Sequence, residues 1–335
     1  MKVTVGSLRG ALVATLLLLV SSAHAQTPQE WLLRMAEAVE FSNYTGTFLY
    51  MTPGNVETFR VYHRVADGKV VERIVALDGA GAEIIRTSRE LICIFPSNRS
   101  VVVESRVGRS AKGGPLQAGL PFISGDLSAY YELSLGEPER VAGRQTELII
   151  VSPRDGYRYG YRLWVDRESN MPLKSQLIGE ESSMPLEEIR FIQIDFPTEV
   201  ATADVETSLD TRNFTWVRQS ERPRASATAT MPPELRRWVP TELPGGFMLT
   251  SDTVEYTDMS AAPRVHHVYS DGLATVSVFI DAAVAASEQA EGLSMMGAAN
   301  AYSLLREGML VTAMGEVPPL TVEQFAAAMQ LSGSL

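Results

Sequence analysis

The sequence contains almost no cysteine and only four histidines, which removes several kinds of site at the outset. Its single cysteine, Cys93, cannot form a disulfide within the chain, so no disulfide framework supports the fold. Cys93 lies in the apolar segment LICIF without an adjacent cation to lower the pKa of its thiol, which favours a buried small side chain over a nucleophile. No HExxH motif, Cys/His cluster or phosphate-binding GxxxxGK[ST] loop occurs. We expect no metal and no cofactor.

Positive charge is also scarce. The chain has 29 Lys and Arg against 40 Asp and Glu, a net charge of −11. Without the first 25 residues, which include Lys2 and Arg9, the net charge becomes −13. An acidic chain repels the phosphate backbone, so nucleic acid is not an expected partner.

Long apolar runs are limited to one, ALVATLLLLV from Ala11 to Val20, which is too short to span a bilayer. Basic residues precede it, and the small residues Ala23 and Ala25 follow in AHAQ. This pattern is typical of a secretory signal peptide over residues 1–25, cleaved after Ala25. No cysteine follows the cleavage point to accept a lipid, so we expect free export of a soluble mature protein.

An amphipathic helix is predicted at the start of the mature chain. Thr27, Pro28 and Glu30 have the spacing of a capping box with proline at the first helical position. Apolar side chains then recur at helical spacing at Trp31, Leu32, Met35 and Val39.

From Tyr44 the sequence changes to short runs rich in β-branched and aromatic residues. They are separated by PGN, ADG, DGAG and PSN, whose residues suit tight turns. An antiparallel meander is the expected result. A glycine-rich loop with Arg106, Arg109 and Lys112 and then a short helix over 126–133 are expected before strands resume.

The composition divides the mature chain into two domains. Residues 201–240 are rich in Pro, Ala and Thr, and we expect them to be a linker between a large domain, 26–200, and a smaller α+β domain, 241–335. In the second domain Thr321 is expected to cap a terminal helix. The predicted fold class is α+β, with a long antiparallel sheet covered on one side by helices.

The segment HHVYSDG raises the possibility of a hydrolase that uses Ser270, Asp271 and one of His266 and His267. Adjacent strand residues point to opposite faces, so the two histidines cannot approach one nucleophile together. Asp271 and Gly272 suit a tight hairpin turn with positive φ angles, and no GxSxG elbow exposes the serine. A hairpin is therefore the favoured interpretation.

The sequence has few candidate catalytic residues but several predicted strands with aromatic residues on one face. Phe48 shares a strand face with Tyr50, as Phe59 does with Val61. In YRYGYRLWV one face carries Tyr157, Tyr159, Tyr161, Leu163 and Val165, and the other carries Arg158, Arg162 and Trp164. A curved sheet lined in this way can enclose a flexible apolar ligand. The pattern alone favours an ordinary core beneath helices.

Three further polar residues, His63, Glu187 and Glu188, indicate no catalytic role. His63 lies within a predicted strand, where it is expected to be structural or half-exposed. Glu187 and Glu188 are expected to be solvated charges beside a loop.

Three segments in this order resemble the MucB/RseB family of periplasmic regulators of envelope-stress sigma factors. They are YTGTFLY near the mature start, YRLWVDRESNMPLKSQLI in the middle, and HHVYSDGLATVSVFI with the later GAANAY. The resemblance extends over nearly the whole mature chain. It implies a large N-terminal half-barrel similar to lipoprotein carriers, followed by a smaller C-terminal domain.

The resemblance also implies a function. Members of the family are not enzymes. They bind the periplasmic part of a membrane-spanning anti-sigma factor, protect it from regulated proteolysis, and release it when lipid or lipopolysaccharide is sensed. The same periplasmic location, partner and ligand are expected here, and a homodimer is left open.

On this hypothesis the lipid would meet the aromatic faces of Phe48, Tyr50, Phe59, Val61, Tyr157, Tyr159, Tyr161 and Leu163. Cations at Arg106, Arg109 and Lys112 would meet its phosphates. The hairpin from Arg264 to Asp281 would belong to the partner-binding domain, with Arg264, His266 and Tyr269 as contact residues. Two alternatives remain, a lipid or lipoprotein carrier without a regulatory partner and the exported hydrolase.

Overall fold

The computed structural model describes residues 26–105, 127–179, 184–219, 238–256, 263–282 and 291–332. The predicted signal peptide and the basic residues Arg106, Arg109 and Lys112 lie outside these ranges. The helices are α1 (Pro28–Phe41), the 3-10 helix η1 (Thr202–Val205) and α2 (Pro319–Ala328).

Twenty-one strands make up most of the described chain. In the first half they are β1 (Tyr44–Thr52), β2 (Asn55–Ala66), β3 (Lys69–Ala76), β4 (Glu83–Arg86), β5 (Glu90–Phe95), β6 (Ser100–Ser105), β7 (Tyr131–Leu135), β8 (Glu139–Val141), β9 (Arg144–Pro153), β10 (Gly160–Asp166), β11 (Pro172–Ile178) and β12 (Glu187–Asp195). The later strands are β13 (Thr215–Gln219), β14 (Trp238–Pro240), β15 (Met248–Tyr256), β16 (Pro263–Ser270), β17 (Thr275–Ala282), β18 (Gly292–Met296), β19 (Ala299–Arg306), β20 (Met309–Gly315) and β21 (Met329–Leu331).

The large domain is built on one 13-stranded sheet. Its order is β13-β6-β5-β4-β3-β2-β1-β12-β11-β10-β9-β7, and β8 pairs with β9. All pairs are antiparallel except that between β13 and β6. The turn between β2 and β3 confirms the predicted ADG hairpin, because Asp67 and Gly68 both have positive φ, 52° and 68°.

Helix α1 packs against β7 and β9. The predicted capping box is confirmed: the Thr27 hydroxyl accepts from the Glu30 amide at 3.3 Å, and the Glu30 carboxylate accepts from the Thr27 amide at 2.9 Å. The apolar side chains of α1 pack in a cluster that includes Ile149 and Leu163 from the sheet. The helix residues buried there are Trp31, Leu32 and Met35.

The predicted linker is partly a packed element. Within 201–240, η1 and β13 lie against the large sheet, and Leu209 and Phe214 pack on Ile94 and Val101. Only residues 220–237 of this segment lie outside the described chain.

The smaller domain has a six-stranded antiparallel sheet in the order β15-β16-β17-β20-β19-β18. Helix α2 covers one face, where Phe325 contacts Phe247 and Tyr269 with ring centroids 5.2 Å and 5.3 Å apart. Strands β14 and β21 pair beside this core and bring Trp238 against Leu331.

The fold class is confirmed as α+β, with a large antiparallel sheet domain and a smaller α+β domain. Two local predictions are wrong. The described part of the predicted helix over 126–133 is a turn followed by β7, and Thr321 is not a cap because α2 begins at Pro319 after Pro318. Within the described ranges, no helix is long and apolar enough to cross a membrane.

Candidate functional site

An apolar row runs across seven strands on one face of the large sheet. Directly paired residues in neighbouring strands point to the same side, and the pairing register defines this row from β1 to β13. The row consists of Gly46, Val61, Ile74, Ile84, Cys93, Val102 and Val217. Exposure increases along it, from 0% at Val61 and 2% at Ile74, through the half-buried residues of β4 to β6, to 48% at Val217. Four of its seven residues, those on β4, β5, β6 and β13, are not among the residues predicted from the sequence to contact lipid.

The aromatic residues of β1 and β2 lie on the same face as this row. The Phe48 ring is 5.4 Å from Phe59 and 5.6 Å from Phe191. Phe48 is buried and Phe59 is half-buried, as is Tyr50. Gly46 admits the Phe191 ring, because a Cβ atom at Gly46 would lie 2.7 Å from it. Of the predicted lipid-facing residues here, Phe48 and Val61 therefore belong to the core.

A buried polar cluster ends this face. His63 stacks on Tyr44 with ring centroids 4.6 Å apart, and its Nδ1 lies 2.8 Å from the Ser42 carbonyl oxygen. Glu72 and Arg86 face each other beside these rings at 3.6 Å. Burial lowers the pKa of His63 to about 4, despite the opposing bond to Ser42. His63 is thus structural, and fully buried instead of half-exposed.

The predicted aromatic strand 157–165 is divided between two roles. Strand β10 begins only at Gly160; Tyr161 and Leu163 then contribute to the cluster beneath α1. Tyr157 and Tyr159 precede the strand and contact the smaller domain. The Tyr157 carbonyl oxygen accepts from Thr321 Oγ1 at 2.8 Å, and the Tyr159 hydroxyl accepts from Asn300 Nδ2 at 3.0 Å.

Arg158 connects the two domains, although the sequence analysis gave it no function. Its side chain is 0% exposed and donates to the carboxylates of Asp271 and Asp155 and to the Gly245 carbonyl oxygen. The Tyr131 hydroxyl also donates to Asp271, at 3.0 Å. Burial lowers the pKa of Arg158, but the two carboxylates raise it by more, so the guanidinium stays charged.

Aromatic rings surround this guanidinium. Its central carbon lies 4.8 Å from the ring centroids of both Tyr130 and Phe247, one from each domain. Gly246 has φ +89°, and a Cβ atom there would lie 2.4 Å from Tyr130. The backbone of the smaller domain can approach this closely because Gly246 has no side chain.

A second polar contact between the domains includes the carboxylates of Glu187 and Glu316. Glu187 accepts from the Ala298 amide at 3.3 Å, so its predicted role as a purely solvated charge is wrong. Partial desolvation and then the Glu187 charge raise the pKa of Glu316 to about 7, although Glu316 remains an exposed residue. Burial and then Glu187 raise the pKa of Tyr50, which keeps its phenol protonated.

The SDG segment is a hairpin turn. Ser270 Oγ donates to the Ala274 carbonyl oxygen at 2.9 Å, and Asp271 Oδ1 accepts from the Leu273 and Ala274 amides at 2.9 Å and 2.7 Å. Gly272 has φ +99°, whereas the positive φ expected at Asp271 does not occur. Serine and aspartate are thus both engaged in the turn.

The two adjacent histidines point to opposite faces. His266 stacks on Phe279 at 4.2 Å and lies 3.1 Å from Ser277 Oγ on the open face of the six-stranded sheet. His267 is buried near Asp252, and burial lowers its pKa. No Ser-His-Asp triad forms from this segment. Among the described residues, no three His, Cys, Asp or Glu side chains are grouped to hold a metal ion.

The predicted partner-binding residues are also divided. Arg264 and His266 lie on the open face, where Arg264 donates to Asp281 at 2.7 Å and covers the Phe279 ring at 5.1 Å. Tyr269 points to the other face, is 3% exposed and packs under α2. Its position in the core removes it from the surface that a partner could reach.

The half-buried apolar row, the open sheet face and the polar contact between the domains together define a two-domain protein with a candidate binding surface on each sheet. Two family models match the chain, the MucB/RseB N-terminal domain over residues 27–209 and the MucB/RseB C-terminal domain over 232–330. The chain belongs to the MucB/RseB family, which confirms the resemblance drawn from the sequence.

Relatives match more than nine-tenths of the chain. The sigma factor AlgU regulatory protein MucB of Pseudomonas aeruginosa is 31% identical over 319 residues, covering 94% of either chain. The sigma-E factor regulatory protein RseB of Escherichia coli K12 is 28% identical, covering 92% of this chain and 93% of that protein. Among solved structures, the MucA/MucB complex of P. aeruginosa matches with a TM-score of 0.67 and 29% identity, covering 92% of this chain and 99% of the solved one.

Proposed function

We propose that this protein is a periplasmic regulator that binds the periplasmic part of a transmembrane anti-sigma factor, protects it from regulated proteolysis, and releases it on sensing lipid or lipopolysaccharide. The observation that carries the proposal is the match of both domains to relatives named as sigma factor regulatory proteins. A solved complex of one such relative, MucB with MucA, supports an anti-sigma factor as the kind of partner.

The apolar row supports a lipid ligand. A binding surface for an acyl chain needs apolar side chains that are not fully covered by the protein's own core. Ile84, Cys93 and Val102 meet that requirement because they are half-buried and adjacent across three strands. We assign the lipid contact to these residues together with Phe59 and Tyr50.

The open face of the six-stranded sheet supports a protein partner. Its centre holds the stacked rings of His266 and Phe279, with the ion pair of Arg264 and Asp281 beside them. An aromatic centre with flanking charged groups suits a protein interface, in which aromatic and arginine side chains carry much of the affinity. We assign the anti-sigma factor contact to this face.

Lipid and partner would then be linked through the arrangement of the domains. If lipid favours an arrangement that the anti-sigma factor does not, each ligand weakens the other by the same factor, commonly about 5- to 150-fold. This reciprocity distinguishes a regulator from a lipid or lipoprotein carrier, for which no coupling to a partner is required.

The test is a calorimetric titration of residues 26–335 with the periplasmic segment of the same organism's anti-sigma factor, with and without lipopolysaccharide fragments. We expect binding that lipopolysaccharide weakens. Binding unaffected by lipopolysaccharide would refute the linkage. Lipid binding without any partner binding would refute the regulator and favour the carrier.

A pair of variants tests the lipid surface. Val102→Asp puts a charge in the half-buried row, and we expect it to abolish the effect of lipopolysaccharide on partner affinity. Val56→Asp is the matched control, because Val56 is 59% exposed and points to the other side of β2 from Phe59. An equal loss of the lipopolysaccharide effect in Val102→Asp and Val56→Asp would contradict the assignment of the lipid contact to the apolar row.

A second pair tests the partner surface. His266→Ala removes a ring from the centre of the open face and should weaken anti-sigma factor binding by roughly tenfold. Glu307→Gln, in the exposed turn between β19 and β20, should bind as the unmodified protein does. If His266→Ala binds normally, the partner uses another surface.

A further inference from the structure

The tip of the β16–β17 hairpin enters the large domain. Leu273, at this tip, is 7% exposed and belongs to the same apolar cluster as Trp31 and Tyr131 of the large domain. Asp271, two residues earlier, has no exposed side-chain surface and pairs with Arg158. One apolar and one charged side chain of the smaller domain are thus inserted into the large domain.

Both partners in this ion pair lose their water in the observed arrangement. The side chains of Arg158 and Asp271 are each 0% exposed. Such a pair is satisfied only while its hydrogen bonds are complete, and removal of one partner leaves a charge without compensation in a desolvated site. A small displacement of the hairpin would therefore break the whole set of contacts, which favours two discrete arrangements over a continuous range.

The other polar contacts between the domains are of a different kind. Among the described residues, Asn300 with Tyr159, Thr321 with Tyr157, and Ala298 with Glu187 are single hydrogen bonds, and the carboxylates of Glu187 and Glu316 beside the last of them repel each other. Water can replace each of these bonds at small net cost when the domains separate. Among the described contacts between the domains, the Arg158 site is the one in which two opposite charges, both 0% exposed, would regain water on separation.

We propose that the SDG tip and Arg158 form a latch that holds the two domains in the observed arrangement, and that release of Asp271 from Arg158 separates the domains while each remains folded. The latch needs neither lipid nor partner. If the latch were disproved, the proposed function would still stand. If the proposed function were disproved, the latch would still stand.

The test measures the distance between the domains in the full mature chain without ligand. Spin labels are attached at Lys69→Cys at the start of β3 and Thr253→Cys on β15, both exposed, in a Cys93→Ser background. Pulsed electron resonance then gives the distribution of distances. The otherwise unmodified protein should show one dominant distance.

Two single variants remove one charge each. Asp271→Asn retains the Oδ1 atom that accepts from Leu273 and Ala274, so the turn itself is preserved. Arg158→Met keeps an unbranched side chain of similar length without the charge. We expect each to raise the ratio of separated to docked domains by at least about 100-fold, because the charge left behind regains water on separation: Asp271 loses its Arg158 partner in one variant, and Arg158 keeps only Asp155 in the other.

The double variant and a control complete the experiment. Arg158→Met with Asp271→Asn removes the ion pair but leaves no fully buried charge without a partner, since the Asp155 side chain is 33% exposed, so this variant should be more separated than the unmodified protein and less separated than either single variant. Arg154→Met is the matched control and should remain docked, because among the described contacts the Arg154 side chain donates only to the Ser128 carbonyl oxygen within its own domain.

Either of two results would overturn the latch. One is an unchanged docked distance in Asp271→Asn, and the other is a double variant as docked as the unmodified protein, which would show that the ion pair is not needed to hold the domains. Asp271→Asn decides the question should Arg158→Met fail to fold. Circular dichroism of each variant separates domain release from unfolding, since only unfolding loses the β signal.

Discussion

Single residues determine how the two domains contact each other, although their sequence context does not indicate this role. Arg158 lies between two tyrosines in a segment that predicts a continuous strand, yet it is fully buried and reaches the other domain. Asp271 is recognisable as a turn residue, and its Oδ1 atom does cap the turn. Its second oxygen accepts from Arg158 and Tyr131, which no local pattern reveals.

A glycine beside the Arg158 site provides a prediction at this scale. Gly246→Ala places a Cβ atom against the Tyr130 ring at a residue whose φ is +89°. We expect a loss of stability of about 1–3 kcal/mol, measured by urea unfolding. Gly54→Ala, also with positive φ but with no heavy atom within 4 Å of the added Cβ, separates the backbone strain from the clash. Equal losses in both variants would show that the contact with Tyr130 is irrelevant.

His63 predicts a pH dependence of stability. Burial lowers its pKa from 6.5 to about 4 in the folded protein, so the unfolded chain takes up its proton first as the pH falls. Stability is therefore lost between pH 6.5 and pH 4, and His63 contributes about 2 kcal/mol of loss between pH 7 and pH 5.

The matching experiment compares the unmodified protein with His63→Phe, which keeps a ring against Tyr44 but has no titrating group. Urea unfolding of both proteins at pH 7 and pH 5 gives the difference. A variant with the same loss on acidification as the unmodified protein would show that His63 is not its source.

At the scale of elements, periodicity and turn residues correctly predicted the structures that depend on neighbouring residues in the sequence. The capping box of α1, its buried side chains and the Asp67–Gly68 hairpin are all confirmed. The prediction of a helix over 126–133 is wrong because Tyr131 and Leu133 pair with β9, and a β partner overrides local preference. Strand β13 was missed for a similar reason, since its pairing with β6 joins residues far apart in sequence.

Helix α1 gives a prediction at this scale. Thr27→Ala removes the side chain that accepts from the Glu30 amide, and we expect a loss of about 1 kcal/mol in the free energy of unfolding. Thr27→Ser preserves the acceptor and should restore most of it. Denaturant unfolding of residues 26–335 measures both, and a fully stable Thr27→Ala protein would mean that tertiary packing alone holds the first turn.

At the scale of the whole molecule, the two domains meet through a few polar contacts beside the inserted hairpin tip. Besides Arg158 and Asp271, α2 contributes Thr321, whose hydroxyl donates to the Tyr157 carbonyl oxygen. The domain arrangement is thus set by side chains from a loop, a turn and the first turn of a helix.

Thr321→Val tests this secondary contact. The valine fills nearly the same volume without a donor, and the Tyr157 carbonyl oxygen loses its partner. We expect a loss of about 0.5–1.5 kcal/mol, seen as a lower thermal midpoint without separation of the domains. Thr253→Val removes a hydroxyl that donates to the His266 carbonyl oxygen at 3.4 Å at an exposed site of β15, where water can replace it, and should change the midpoint little. Separation of the domains in Thr321→Val would instead make this bond a part of the latch.

The sequence by itself determined the α+β class, the amphipathic helix α1, the hairpin turns, the lack of a metal or nucleophile motif and the family. These follow from local spacing and composition, or from segments that keep their order along the chain. Tertiary structure decided which aromatic residues are core, which remain half-buried in the apolar row, and which face the other domain. It alone brought Arg158 to Asp271, because the pairing of residues 113 positions apart depends on how two finished domains dock, and no local pattern encodes that contact.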